Sequence, residues 1–193
     1  MKILYVNDTD NLDSSIRNIA RQILPNSRVI KVSCMDEAES IILSDEEIVL
    51  LILDLSLPRT QEDYWQITDY RHAIRDLHEQ CRSDNSSNSD SYIEAQERIE
   101  TAIESISELT IRRGGTEMIF NLLKEMRLRN DNALMKFPIP IIFISGWNVA
   151  QESFGWSSDI VFDCIQLGIN NFEDHLIGKI TNLLKIVPPN NPA

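Results

Sequence analysis

Short apolar runs alternate along the chain with longer stretches in which apolar residues recur every three or four positions. The first run, Lys2-Ile3-Leu4-Tyr5-Val6, stops at polar Asn7-Asp8-Thr9-Asp10 and predicts a buried strand feeding a loop. Leu12, Ile16, Ile19, Ala20 and Ile23 then follow a helical period that ends at Pro25. Arg28 to Val32 reads as a second strand. Asp36 to Leu43 reads as a helix with Ala38, Ile41 and Ile42 turned inward. Ile48 to Leu53 is apolar at every position, as in parallel strands covered on both faces. It ends at Asp54, and Leu57-Pro58 closes the turn.

Beyond Pro58 the pattern changes. Ile67, Tyr70, Ile74, Leu77 and Cys81 lie at alternating spacings of three and four, and Tyr92, Ala95, Ile99, Ile103 and Ile106 repeat a similar stripe. Between them Ser83 to Ser91 is low-complexity and polar. Two amphipathic helices joined this way predict an antiparallel helical hairpin over residues 59–113. Tyr64 and Trp65 near its base are expected to pack against the core.

Gly114-Gly115 marks the return to the first pattern. Residues 116–129 form a helix with Met118, Ile119, Leu122, Leu123 and Met126 inward. Pro140 precedes the strand Ile141 to Ile144, which ends at Ser145-Gly146. A short helix from Val149 to Phe154, a strand from Ile160 to Ile165 and a helix from Phe172 to Ile186 complete the series. Regular alternation of strands and helices predicts an α/β protein, a doubly wound five-stranded parallel sheet with the hairpin inserted. The α/β domain covers 1–58 and 114–187, and residues 188–193 are a tail. In such sheets ligands lie beyond the carboxyl ends of the strands. Asn7-Asp8, Asp54 and Ser145 stand there.

Charge and composition narrow the function. The 193 residues include 30 acids against 18 Lys and Arg, a net charge of −12. Nucleic-acid binding draws on cations that neutralise phosphates, and attachment to anionic membranes draws on the same charge, so neither partner is expected. The hairpin holds twelve of the acids and seven of the basic residues. No apolar run is long enough to span a bilayer, and the N-terminus does not read as a signal peptide. Cys34, Cys81 and Cys164 form neither a disulfide framework nor a zinc pattern and are expected to be reduced packing residues in a cytoplasmic protein. His72, His78 and His175 lack metal-ligand spacing.

Together, Ile3-Leu4-Tyr5-Val6-Asn7-Asp8, Leu53-Asp54-Leu55-Ser56-Leu57-Pro58, Gly115 at a helix start, Pro140 to Gly146 and Phe162-Asp163-Cys164-Ile165 resemble the receiver domain of two-component response regulators. The resemblance covers about 1–58 and 114–186 and implies a flavodoxin-like fold. It implies phosphoryl transfer from a phosphohistidine to a carboxylate, with Asp54 as acceptor. Asp8, Asp54 and the Ser56 backbone carbonyl would bind Mg²⁺, with Asn7 orienting a metal-bound water, and Ser145 would contact the phosphoryl group. The match is divergent. Asn7 takes the place of one of two adjacent acids, Leu167-Gly168 stands where receivers carry Lys-Pro, and Cys164 replaces the switch aromatic. Lys179 lies in the last helix, too far along the chain to substitute. The chain therefore resembles a pseudo-receiver, a stand-alone signalling module in a phosphorelay that acts through contacts with a kinase or another protein, or through a homodimer of hairpins.

Simpler readings accompany each residue. Asp54 also suits a turn after a strand, and Asn7-Asp8 an Asx turn or helix cap. Ser145 suits a strand-end turn, and His72 and His78 a solvated helix face. The rival function is a Mg²⁺-dependent phosphatase resembling the haloacid-dehalogenase family, with Asp8 and Asp10 as its acid pair and the hairpin as a cap.

Overall fold

The computed structural model describes residues 1–44, 47–83, 89–111, 114–130, 137–146 and 160–186. Five apolar runs become the strands of one parallel sheet: β1 (Lys2–Val6), β2 (Arg28–Val32), β3 (Ile48–Asp54), β6 (Ile141–Ser145) and β7 (Phe162–Gln166). Their order is β2-β1-β3-β6-β7. This is the 2-1-3-4-5 arrangement of flavodoxin-like doubly wound sheets, whose order reverses between β1 and β3. The central strands are buried almost completely, as their unbroken apolar runs require.

Side chains alternate across the sheet, so each central strand feeds two cores. Leu4, Val6, Leu51, Leu53, Ile141 and Phe143 pack on one face beneath α2 (Met35–Ser44) and α5 (Gly114–Arg129). Ile3, Tyr5, Leu50, Ile52, Ile142 and Ile144 pack on the other beneath α1 (Asp13–Ile23) and α6 (Phe172–Ile186). Each fully buried Leu or Ile contributes roughly 1.5–3 kcal/mol, so the two apolar layers fix both faces and leave the strand ends as the accessible rim. Among the described residues, no helix is long and apolar enough to cross a membrane.

The inserted stretch forms two long helices, α3 (Gln61–Ser83) and α4 (Ser89–Leu109), packed side by side. Their seam departs from the expected stripe on α4. Ala102 is buried beside Ile99, whereas Ile103 is 53 % and Tyr92 60 % exposed. The seam therefore follows Ala95, Ile99, Ala102 and Ile106, where the small alanines let the helices approach. Trp65 is 62 % exposed, contrary to the expected packing against the core, while Tyr64 is half-buried. Ile67, in the second turn of α3, is buried completely. No pattern along the chain announces the small antiparallel ribbon of β4 (Leu57–Pro58) and β5 (Thr110–Ile111) at the root of the hairpin. This ribbon brings entry and exit of the insertion together, so the parallel sheet continues as if nothing had been inserted. The expected strand from Ile160 begins two residues later, at Phe162. The expected helix at Val149 to Phe154 and the tail from residue 188 lie outside the described residues.

One glycine is set by close approach. The start of α5 lies against the end of β3, where Gly115 N–H faces the Leu55 carbonyl. A Cβ on Gly115 would sit 2.4 Å from the Asp54 carbonyl oxygen, a backbone atom that cannot swing aside. Gly178, exposed within α6, meets nothing within 4 Å. The two alanine substitutions are therefore expected to differ in sign. Gly115→Ala should cost about 1–3 kcal/mol through overpacking, and Gly178→Ala should gain up to about 1 kcal/mol from helix propensity. Urea unfolding of both variants measures this, and equal effects would contradict the close approach at Gly115.

Candidate functional site

The register of the sheet brings the first two candidate residues together. Tyr5 pairs with Ile52 and Val6 with Leu53, so Asn7 follows its strand where Asp54 ends the neighbouring one. The Asn7 side chain donates from Nδ2 to Asp54 Oδ2 at 3.1 Å, across 47 residues of sequence. Asn7 Oδ1 accepts the Thr9 backbone N–H at 2.7 Å and the Thr9 hydroxyl at 2.7 Å. Because the Thr9 N–H must meet an oxygen, the amide is fixed with its N–H₂ toward Asp54. Asp54 Oδ1 accepts the Ser56 N–H at 3.0 Å. Both strand ends thus form the Asx turns that the simpler readings expected, and the same side chains join across the rim.

Burial pushes the Asp54 carboxyl up to about 6; the nearby Asp8 charge adds to this, against the Ser56 and Leu55 N–H groups and the Arg71 charge. Asp8 is itself buried and is held by a residue the sequence reading did not single out. Arg71 of α3 donates to Asp8 Oδ2 at 2.7 Å and to the Asp8 backbone carbonyl at 2.9 Å. No periodic signal in the sequence marks it. Arg71 stands one helical turn beyond Ile67, so the buried anchor places a guanidinium over the end of β1.

The other acids of the first loop have a separate cation. Lys31 of β2 donates to the Thr9 carbonyl at 2.9 Å, bonds Asp10, and lies 3.2 Å from Asp13. Asp10 is 86 % exposed and faces Lys31, while Asp8 faces Arg71. The acid pair of the phosphatase reading therefore does not converge on a common point. Ser145 ends β6, one residue beyond Ile144, the partner of Asp54, and is buried at the same rim. Its carbonyl accepts the Leu167 N–H at 2.7 Å. Lys179 is engaged elsewhere, 2.6 Å from Asp163 of β7. His72 and His78 are exposed, and the three cysteines are free, with Cys34 buried and its thiol pushed up by that burial.

The Mg²⁺ set implied by the resemblance was Asp8, Asp54, the Ser56 carbonyl and Asn7 through water. A hard cation needs several oxygen lone pairs turned toward it. Here Asp8 faces a guanidinium, Asn7 presents an N–H, and each Asp54 oxygen accepts an N–H. Among the described residues, no group of three or more His, Cys, Asp or Glu is arranged to hold a metal ion. As folded, these residues do not fit a divalent cation.

No protein-family model matches the chain, and no curated protein matches it. Solved structures are similar to it, among them two receiver domains. One is the signal receiver domain of a Luxo repressor protein from Vibrio parahaemolyticus, 15 % identical with a TM-score of 0.48, covering 96 % of this chain and 91 % of that one. The other is the non-phosphorylated HemR receiver domain from Leptospira biflexa, 14 % identical with a TM-score of 0.48, covering 100 % of this chain and 98 % of that one.

The shift at Asp54 sets a pH dependence. Its folded value of about 6 lies above the ordinary 3.8, so between these values the folded state holds a proton that the unfolded state releases. Stability from this group therefore falls as pH rises from about 4 to about 6 and stays low above that. Asp54→Asn removes the titration. Urea unfolding of the two proteins should show wild type losing on the order of 2 kcal/mol relative to the variant across that window. A difference independent of pH would contradict the buried, proton-holding carboxyl.

Proposed function

We propose that the protein is a signalling module of the receiver fold that works through protein contacts, with Asp54 as the position where a phosphoryl input enters. The observation that carries this reading is the meeting of Asn7, Asp8 and Asp54 at one rim of a 2-1-3-4-5 sheet, with the inserted hairpin reaching onto that rim through Arg71.

In the input step an Asp54 oxygen attacks the phosphorus of a phosphohistidine on a partner kinase. The P–N bond breaks, and the imidazole leaves with the electron pair and takes up a proton. Arg71 screens the negative charge gathering there, and Ser145 is the candidate donor to the phosphoryl oxygens. With Asn7 for an acid, Leu167-Gly168 for Lys-Pro and Lys179 held by Asp163, the transfer is slow. The output is the hairpin. Trp65, Tyr92, Ile93 and Ile103 are large apolar side chains exposed on it, which supports docking to a partner protein or to a second hairpin. The free cysteines support a reducing compartment such as the cytoplasm.

The test is incubation of the whole chain with a small acyl phosphate, read by intact mass. The expected result is slow addition of one phosphoryl group, abolished in Asp54→Ala. Addition that persists in Asp54→Ala, or none after prolonged incubation, removes Asp54 as the input. Sedimentation equilibrium of the same samples reads whether the hairpin pairs with a second copy.

A further inference from the structure

Asp8 places a carboxylate, 6 % exposed, at the end of a parallel strand. A buried carboxylate needs a cation and a full set of donors. The loop's nearest lysine is committed: Lys31 serves Asp10, Asp13 and the Thr9 carbonyl. Lys179 of the last helix is committed to Asp163. The positive charge at Asp8 comes instead from the insertion. Arg71 grips both the carboxylate and the backbone carbonyl of one residue, which locks the fork in register with the strand end. Asn7 completes the arrangement by turning its amide N–H, not an oxygen, toward Asp54.

We propose that Arg71 is the built-in counter-cation of the rim: the inserted hairpin supplies, as a guanidinium, the charge for which a receiver uses a divalent ion. The inference rests on reading the strand-end rim as the working site, and it names how that site is regulated. Cation occupancy of the rim and seating of α3 on it are coupled, because the same side chain takes part in both. The guanidinium is 37 % exposed and the carboxylate it covers only 6 %, so a competing cation reaches Asp8 by displacing Arg71. Arg71 acts through Asp8 and is a positioning residue.

The test uses the whole chain and Mg²⁺ alone, with thermal unfolding as the readout. Wild type is expected to be indifferent to millimolar Mg²⁺. Arg71→Gln should melt several degrees lower, and Mg²⁺ should restore most of that loss saturably, where K⁺ at equal ionic strength does not. Asp8→Asn combined with Arg71→Gln should lose the response. Wild type responding at the same Mg²⁺ concentration as Arg71→Gln would overturn the proposal, as would an Arg71→Gln protein that ignores Mg²⁺. Should Arg71→Gln not fold, paramagnetic broadening by Mn²⁺ in wild type decides. Unbroadened amides at Thr9 and Ser56 support the proposal, and selective broadening there overturns it. Neither measurement involves a phosphodonor. Phosphorylation of Asp54 with a failed Mg²⁺ test therefore removes only this inference, and the reverse outcome removes only the phosphoryl input.

Discussion

A carboxylate buried at the end of a parallel strand has to be neutralised, and in this protein the neutralising charge arrives from 63 residues away. Arg71 on Asp8 is the contact through which the hairpin meets the rim of the sheet. Removing one partner of such a pair leaves an uncompensated buried charge, at a cost of about 3–5 kcal/mol. The β4–β5 ribbon fixes where the hairpin emerges, and Ile67, buried completely, anchors the second turn of α3. Arg71 then follows one turn on. The orientation of the insertion is thus set by three features in sequence: a root, an apolar anchor and an ion pair.

The rest of the rim follows from sheet register. Because β1 and β3 run side by side in parallel, the residues that end them lie next to one another whatever separates them along the chain. Asn7 and Asp54 therefore meet, and an amide that donates to a carboxylate is a comfortable neighbour where a second acid would repel. The four acids gathered here, Asp8, Asp10, Asp13 and Asp54, are divided between Arg71, Lys31 and neutral N–H donors. Asp54 is the one left to amides, and burial raises its proton affinity accordingly. A site organised in this way holds its charges in internal pairs. It is poorly suited to capture a divalent ion and well suited to couple a change at Asp54 to the helix that carries Arg71.

The sheet was legible in the sequence because its signal is local. An unbroken apolar run such as Ile48 to Leu53 can only be a strand covered twice, and a helix with Leu176, Ile180 and Leu183 inward has only one face to bury. The pairing of Asn7 with Asp54 was legible only as a shared rim, since atom-level partners depend on register. Arg71 was not legible. An arginine on a polar helix carries no periodic signal, and its partner lies in a different element. The α4 seam was misjudged at Ile103 for a related reason. Hydrophobicity favours isoleucine, but close approach of two helices selects Ala102.

These features describe a doubly wound α/β core whose rim Arg71 bridges to an added helical arm. A double-mutant cycle on that bridge addresses the account most directly. Asp8→Asn, Arg71→Gln and the double variant are compared with wild type by urea unfolding. A coupling of about 2 kcal/mol or more is expected for a partly buried, doubly hydrogen-bonded ion pair. Additive effects, within about 0.5 kcal/mol, would show that the hairpin and the strand-end acid do not depend on each other.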